Sequence, residues 1–293
     1  MCLNVQGVAS NLALQGSGAL PYNPVRVGLC LQEGFLPPGI GAIISPHADD
    51  PARIMTTAVK NGNRYVLSGA KSFVYSMSAV DAYVVLAREE REWACFLVPA
   101  GDSRVAVTDA GARTGLRACR VEHVAFNDVA VPPEARIDRG GARGLVVRAL
   151  CLNWAGMAAI AVGIARGAVA AARKYAAERY QGGALIEDHP AVRTLMAGSL
   201  SAAAAAGTIA FSIDDRDFTS YDTLKKSAEA KLAVMDLCAR AVTDCLQCFG
   251  GYGYMEDFGM EKRLRDIMVL KSASGSPLYL RRLIFDIEQE KAR

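Results

Sequence analysis

Histidine is scarce in this chain. Three residues, His47, His123 and His189, are too few and too far apart to be spaced as metal ligands. Neither sign of charge dominates. Lys and Arg number 33 against 30 Asp and Glu, and a net charge of +3 gives no strong field for nucleic acid. No basic stretch precedes the apolar part of MCLNVQGVASNLALQ, so no secretory leader is expected there. A disulfide scaffold is also missing, since eight cysteines in a chain this long do not make one. The eight cysteines lie scattered among apolar neighbours, which predicts reduced, buried thiols in a cytoplasmic protein. Two runs lack charge, but neither predicts a membrane span. Residues 149–165 are short and bounded by Arg148 and Arg166, and residues 194–213 are mostly Ala, Ser and Gly. What is present is apolar substance. Hydrophobic residues make up 52% of 293 positions and charged ones 22%, enough for about two domains with a packed core.

The pattern changes once, near residue 140. Before it, short runs rich in Val, Tyr and Phe lie at 64–68, 82–87, 94–98, 104–107 and 121–126. Breakers such as Asn61-Gly62-Asn63 and Pro132-Pro133 separate them. This predicts an antiparallel β-domain, a sandwich or barrel, over 39–140. After Gly140-Gly141 the period turns helical, with expected helices near 143–180, 189–213, 220–249 and 259–291. Thr219 or Ser220 is placed to cap the third. The fold class is therefore α+β, the β-domain being followed by a C-terminal four-helix bundle over 141–293. Residues 1–38 are too short to form a domain. The uncharged faces of 149–165 and 194–213 exceed what one small bundle buries, so contact with another subunit is expected.

The most informative string is Gln247-Cys248-Phe249-Gly250-Gly251-Tyr252-Gly253-Tyr254. Three glycines in four positions leave a backbone that a phosphate or diphosphate can approach closely; the alternative is a plain helix–helix turn. Cys238, Cys245 and Cys248 share a helix face and read as core, because a lone C-x-x-C without a second pair does not make a metal site. Glu256-Asp257 reads as a solvated turn before a helix, the alternative being a carboxylate pair for acid–base work.

QCFGGYGYMEDFGMEKRLRD resembles the signature of the acyl-CoA dehydrogenase family, close to Q-x-x-G-G-x-G-(Y/F) followed by K-x-x-R-D. Three further stretches resemble the same family in its order: Asn61 to Arg88, Thr114 to Arg136, and Arg173 to Arg179. The resemblance covers about residues 40–290. It implies FAD held between the β-domain and the bundle, an acyl-CoA substrate, and an electron-transfer flavoprotein as acceptor. Residues 1–38 would then be the remnant of an N-terminal helical domain. It also implies a Glu that takes the Cα proton while a hydride leaves Cβ for the flavin.

The departures fall in a pattern. Eight residues after Arg265-Asp266, where the family carries Y-E-G-T, stand Ala273, Ser274, Gly275 and Ser276, so Ser274 occupies the position of the catalytic base. Some members place the base on the first bundle helix; the matching residue is Asn153, and the substrate-side Arg after it is Trp154. The flavin loop T-E-P-x-x-G-S-D reads Ile44 to Pro51, and W-I-(T/S) reads Phe73-Val74-Tyr75. Gly275 and Ser276 match flavin contacts. In the family these elements serve the flavin of the same subunit. Gln247, Gly250, Gly251 and Arg179 match the elements that reach the neighbour's flavin, and they are kept, although the Phe after Arg179 is replaced by Gly182. His189 matches a family His near the flavin's diphosphate or adenine, or is simply a helix-start residue. The resemblance thus implies a subunit that completes a Glu-bearing sister's FAD site in a hetero-oligomer. The competing reading is a non-catalytic homologue that only binds or scaffolds.

Overall fold

The computed structural model describes residues 27–31, 54–76, 80–138, 141–213 and 220–292. Seven strands form one sheet: β1 (Val27–Cys30), β2 (Thr57–Asn61), β3 (Arg64–Ser76), β4 (Ala82–Glu89), β5 (Glu92–Pro99), β6 (Val105–Asp109) and β7 (Arg120–Val131). Their order is β1-β4-β2-β3-β7-β6, with β5 also paired to β4. Most pairings are antiparallel, as expected. Two are not: β1 and β2 both run parallel to β4. Alternation in a sequence reports which face of a strand is buried, not the direction of its partner, so these pairings were beyond its reach. Val27–Cys30, within the stretch assigned to a helical remnant, is a strand. The remainder of that stretch and the flavin-loop match at 44–51 lie outside the described residues.

β4 reads AYVVLARE, apolar through most of its length, because both of its faces are covered. Ala82, Val84 and Leu86 point into a core shared with the helices. Tyr83, Val85 and Ala87 point into a second core inside the β-domain. β5 repeats this division, with Cys95 and Leu97 on one side and Ala94, Phe96 and Val98 on the other. The two strands are a common wall.

Five long helices follow among the described residues: α1 (Ala142–Glu178), α2 (Pro190–Ala210), α3 (Tyr221–Cys248), α4 (Met260–Ser272) and α5 (Pro277–Lys291). Ser220 caps α3, its hydroxyl accepting from the Thr223 N–H at 3.2 Å. The expected fourth helix is broken into α4 and α5. Ser274 and Gly275 have φ of 50° and 115°, and Pro277 begins the next helix, so the chain cannot continue helically through 273–276. α1 is long and apolar enough to cross a membrane by length and composition, but Trp154, Met157, Ala161, Val162 and Ala165 are buried in the bundle core. Cys30, Cys95, Cys151, Cys238, Cys245 and Cys248 are free and buried. Burial pushes the Cys238 thiol up to about 12 and Cys248 up to about 11, so neither is a ready nucleophile.

Candidate functional site

The junction of the two parts is held by Arg265-Asp266 on α4. The Leu116 N–H donates to Asp266 Oδ1 at 2.6 Å, and Arg265 donates to the Thr114 carbonyl at 2.8 Å. A Cβ on Gly115 would lie 2.3 Å from the Arg265 carbonyl oxygen, so only glycine allows this approach. Lys262 pairs with Asp266 one turn along the helix. This motif is therefore an inter-domain clamp.

The turn behind that clamp brings together residues from three helices. Asn153 donates to Ser274 Oγ at 2.6 Å, so the two positions expected to carry a base in different relatives face each other and are bonded. Trp154, fully buried, donates from Nε1 to the Ser274 carbonyl at 2.5 Å. From the other side Lys231 donates to the carbonyls of Ala273 at 2.5 Å and Gly275 at 2.7 Å. Lys231 is buried, and desolvation lowers its ammonium to about 7. No carboxylate takes part in these bonds. A neutral amide bonded to a neutral hydroxyl has no means of removing a carbon-bound proton. Lys231 was missed from the sequence, although a signal was there. It falls on the buried stripe Leu224, Ala228, Lys231, Met235, Cys238, where a charge is out of place unless bonded.

Phe73, Val74 and Tyr75 sit at a bulge in the β3–β7 ladder, where Phe73 has φ of 56°. Phe73 meets the His123 ring edge-on at 5.1 Å. Val74 turns into the β-domain core. Tyr75 packs against the helical core, and burial raises its hydroxyl pKa. The three do not share one face. Gly275 is buried beside Tyr279 and Leu280, and the Ser276 hydroxyl is spent capping α5.

The third group lies at the far end of the bundle. Arg179, His189, Gln247, Gly250 and Gly251 line a single groove of about 740 Å³, together with Gln181 and Tyr252. After α1 the chain makes a small hairpin, Tyr180–Gln181 against Ala184–Leu185. Gly182 and Gly183 turn it at φ of 65° and 87°, values that suit a two-residue glycine turn. His189 Nε2 bonds the Gln181 carbonyl at 2.8 Å. Opposite, the chain leaves α3 in a 3-10 turn, Gly250–Tyr254. A Cβ on Gly250 would meet nothing within 4 Å, and on Gly251 only Tyr254 at 3.9 Å; on Gly253 it would lie 2.6 Å from the Leu246 carbonyl. The first two glycines thus leave open space, while the third serves packing. Stacked beneath the turn are Tyr175 and Phe249, with ring centroids 4.3 Å apart, and Phe258 against both. Among the described residues, no acidic one lines the groove. Arg179 Nε is buried without a hydrogen-bond partner. A cationic, aromatic, open-backed groove with an unsatisfied buried donor suits an anionic ligand bearing a ring.

Two family models match the chain in order. Residues 46–129 match the acyl-CoA dehydrogenase middle domain, and residues 143–286 match its C-terminal domain. An acyl-CoA dehydrogenase of Bacillus subtilis is 28% identical over 245 residues, covering 81% of this chain and 65% of that protein. The CarC subunit of the caffeyl-CoA reductase–Etf complex of Acetobacterium woodii is 28% identical over 244 residues, covering 80% and 64%. The chain thus spans just under two thirds of the length of these curated relatives. Butyryl-CoA dehydrogenase from Megasphaera elsdenii has the same fold, with a TM-score of 0.85 at 22% identity over 98% of this chain and 77% of that one. On the matched domains, their order and the shared architecture, this chain belongs to the acyl-CoA dehydrogenase family.

Proposed function

We propose that the chain is a non-basic subunit of an FAD-dependent acyl-CoA dehydrogenase. It completes the cofactor site of a Glu-bearing sister subunit and carries out no proton abstraction of its own. One observation carries this reading: Asn153 and Ser274, the two candidate base positions, are bonded to each other at 2.6 Å, whereas the groove holding Arg179 and Gly251 is open. The groove fits part of FAD. Arg179 and His189 would hold its anionic oxygens, the Gly250-Gly251 backbone would admit close approach, and Gln247 would supply an amide. When bound, the flavin supplies the hydride acceptor for α,β-dehydrogenation of an acyl-CoA thioester. The electron acceptor in this reading would be an electron-transfer flavoprotein. This is supported by the CarC relative, whose own name places it in an Etf complex. The exposed Tyr252, Tyr254, Met255 and Phe258 beside the groove are the surface on which the sister would sit.

The test is expression alone and together with a Glu-bearing family member from the same source. The lone chain should oxidise acyl-CoA with an artificial acceptor at least 10²–10⁴-fold more slowly than the complex, the usual worth of a general base. Full turnover by the lone chain would sink the proposal, and Glu256 and Asp257 would be the first residues to substitute.

A further inference from the structure

We infer that Tyr252 is a positioning residue which aims the Arg179 guanidinium across the groove; this rests on reading the groove as a site for the anionic half of a nucleotide. The guanidinium carbon lies 5.5 Å from the centre of the Tyr252 ring, within cation–π range. One terminal nitrogen makes a long 3.5 Å bond to Gln181 Oε1. Nε, between them, has no partner although it is buried. Gln181 is itself fixed, because its carbonyl bonds His189 and its backbone pairs with Ala184. Tyr252 is fixed from behind by an edge-on contact with Phe258 at 5.8 Å, and Phe258 leans on Phe249 and Tyr175. A line of four aromatic rings therefore ends on the arginine.

The arrangement answers a physical problem. A free arginine side chain loses about 2 kcal/mol of rotamer entropy when a ligand immobilises it. With no carboxylate among the described residues of the groove to hold it, Arg179 would start from many conformers. The Tyr252 face holds the cation without neutralising it, so the full charge remains for an incoming oxyanion. A carboxylate in the same place would hold the arginine better and cancel its attraction for phosphate. At the sequence level Tyr252 is the unspecified position of Q-x-x-G-G-x-G, which is why it escaped notice there.

The experiment uses the whole chain, with its sister subunit where the two purify together, and two readouts. The first needs no ligand. In a ¹⁵N correlation spectrum, the Arg179 Nε–H resonance, assigned by its loss in Arg179→Leu, should be shifted by the ring current in wild type and in Tyr252→Phe. In Tyr252→Leu it should move to the position of a solvent-exposed arginine. The second is titration with ADP at low salt. Tyr252→Phe should bind as wild type does, and Tyr252→Leu about three- to thirty-fold more weakly, the span of a cation–π contact. Adding Tyr252→Leu to Arg179→Leu should weaken binding no further, because the ring acts only through the arginine. An unchanged resonance in Tyr252→Leu, or equal losses from that change with and without Arg179, would overturn the inference. A shifted resonance with ADP binding indifferent to Arg179→Leu would instead overturn the nucleotide reading and leave the aiming role standing.

Discussion

The turn after α4 and the turn after α3 look alike in the sequence. Each ends a long helix, carries glycine and precedes another helix. In the first, the carbonyls of 273–275 point inward and are claimed by Lys231 and Trp154, and the Ser274 hydroxyl is claimed by Asn153. In the second, Gly250 and Gly251 face open space and a buried arginine nitrogen has no partner. Polar groups satisfied within the protein add stability and leave nothing for a ligand; unsatisfied ones do the reverse. The difference separates a turn closed within the fold from one whose backbone stays open to a ligand.

Substitutions should separate the two turns. The largest effect falls on the closed one. Trp154→Ala empties a fully buried site and removes a donor from the Ser274 carbonyl. It should cost about 3–5 kcal/mol in urea unfolding, and a loss below about 1 kcal/mol would mean that the turn is not held as described. Lys231→Met sharpens the same point through pH. The folded-state value of Lys231 is lowered to about 7 from 10.5, so between these values the unfolded chain binds the extra proton. Wild type should therefore gain stability over Lys231→Met as pH rises from 7 towards 10, at no more than about 1.4 kcal/mol per pH unit. A flat difference across that range would show that the ammonium stays protonated in the fold.

The open turn should tolerate what packing forbids next to it. Gly253→Ala forces a Cβ against the Leu246 carbonyl and should lose about 1–3 kcal/mol. Gly251→Ala should change stability by less than about 0.5 kcal/mol, while Gly251→Trp, equally well folded by circular dichroism, should reduce the flavin retained by the complex. The smallest effect on turnover is expected from Ser274→Ala. It removes one hydrogen bond, worth about 1 kcal/mol, and turnover of the complex should change by less than threefold, as fits a hydroxyl with no base beside it.

Much of this was legible beforehand because periodicity and punctuation are local. The change of period at Gly140-Gly141, the Ser220 cap and the three-glycine turn are read from neighbouring residues, and each matches an element in the structure. The groove was legible through a motif, which brought Arg179, His189, Gln247, Gly250 and Gly251 to one place. What escaped depends on residues far apart in the chain. Asn153 and Ser274 are separated by more than a hundred positions, and nothing local in either shows that they touch. The helix break at 273–276 does have local signals, Gly275 and Pro277, but the helical period on both sides of them hides it. Val74 was expected beside a cofactor and lies in the core, because the bulge before it changes which face the strand presents.

The wall formed by β4 and β5 has a consequence for cooperativity. Alternate side chains of each strand belong to different cores, so the helices cannot part from the sheet without stripping one face of both strands, and the β-domain cannot melt without undoing the floor of the bundle. The boundary near residue 140 is thus a boundary of chain order and not of stability. A chain cut there should yield two fragments that are each insoluble alone, and the intact protein should melt in one transition.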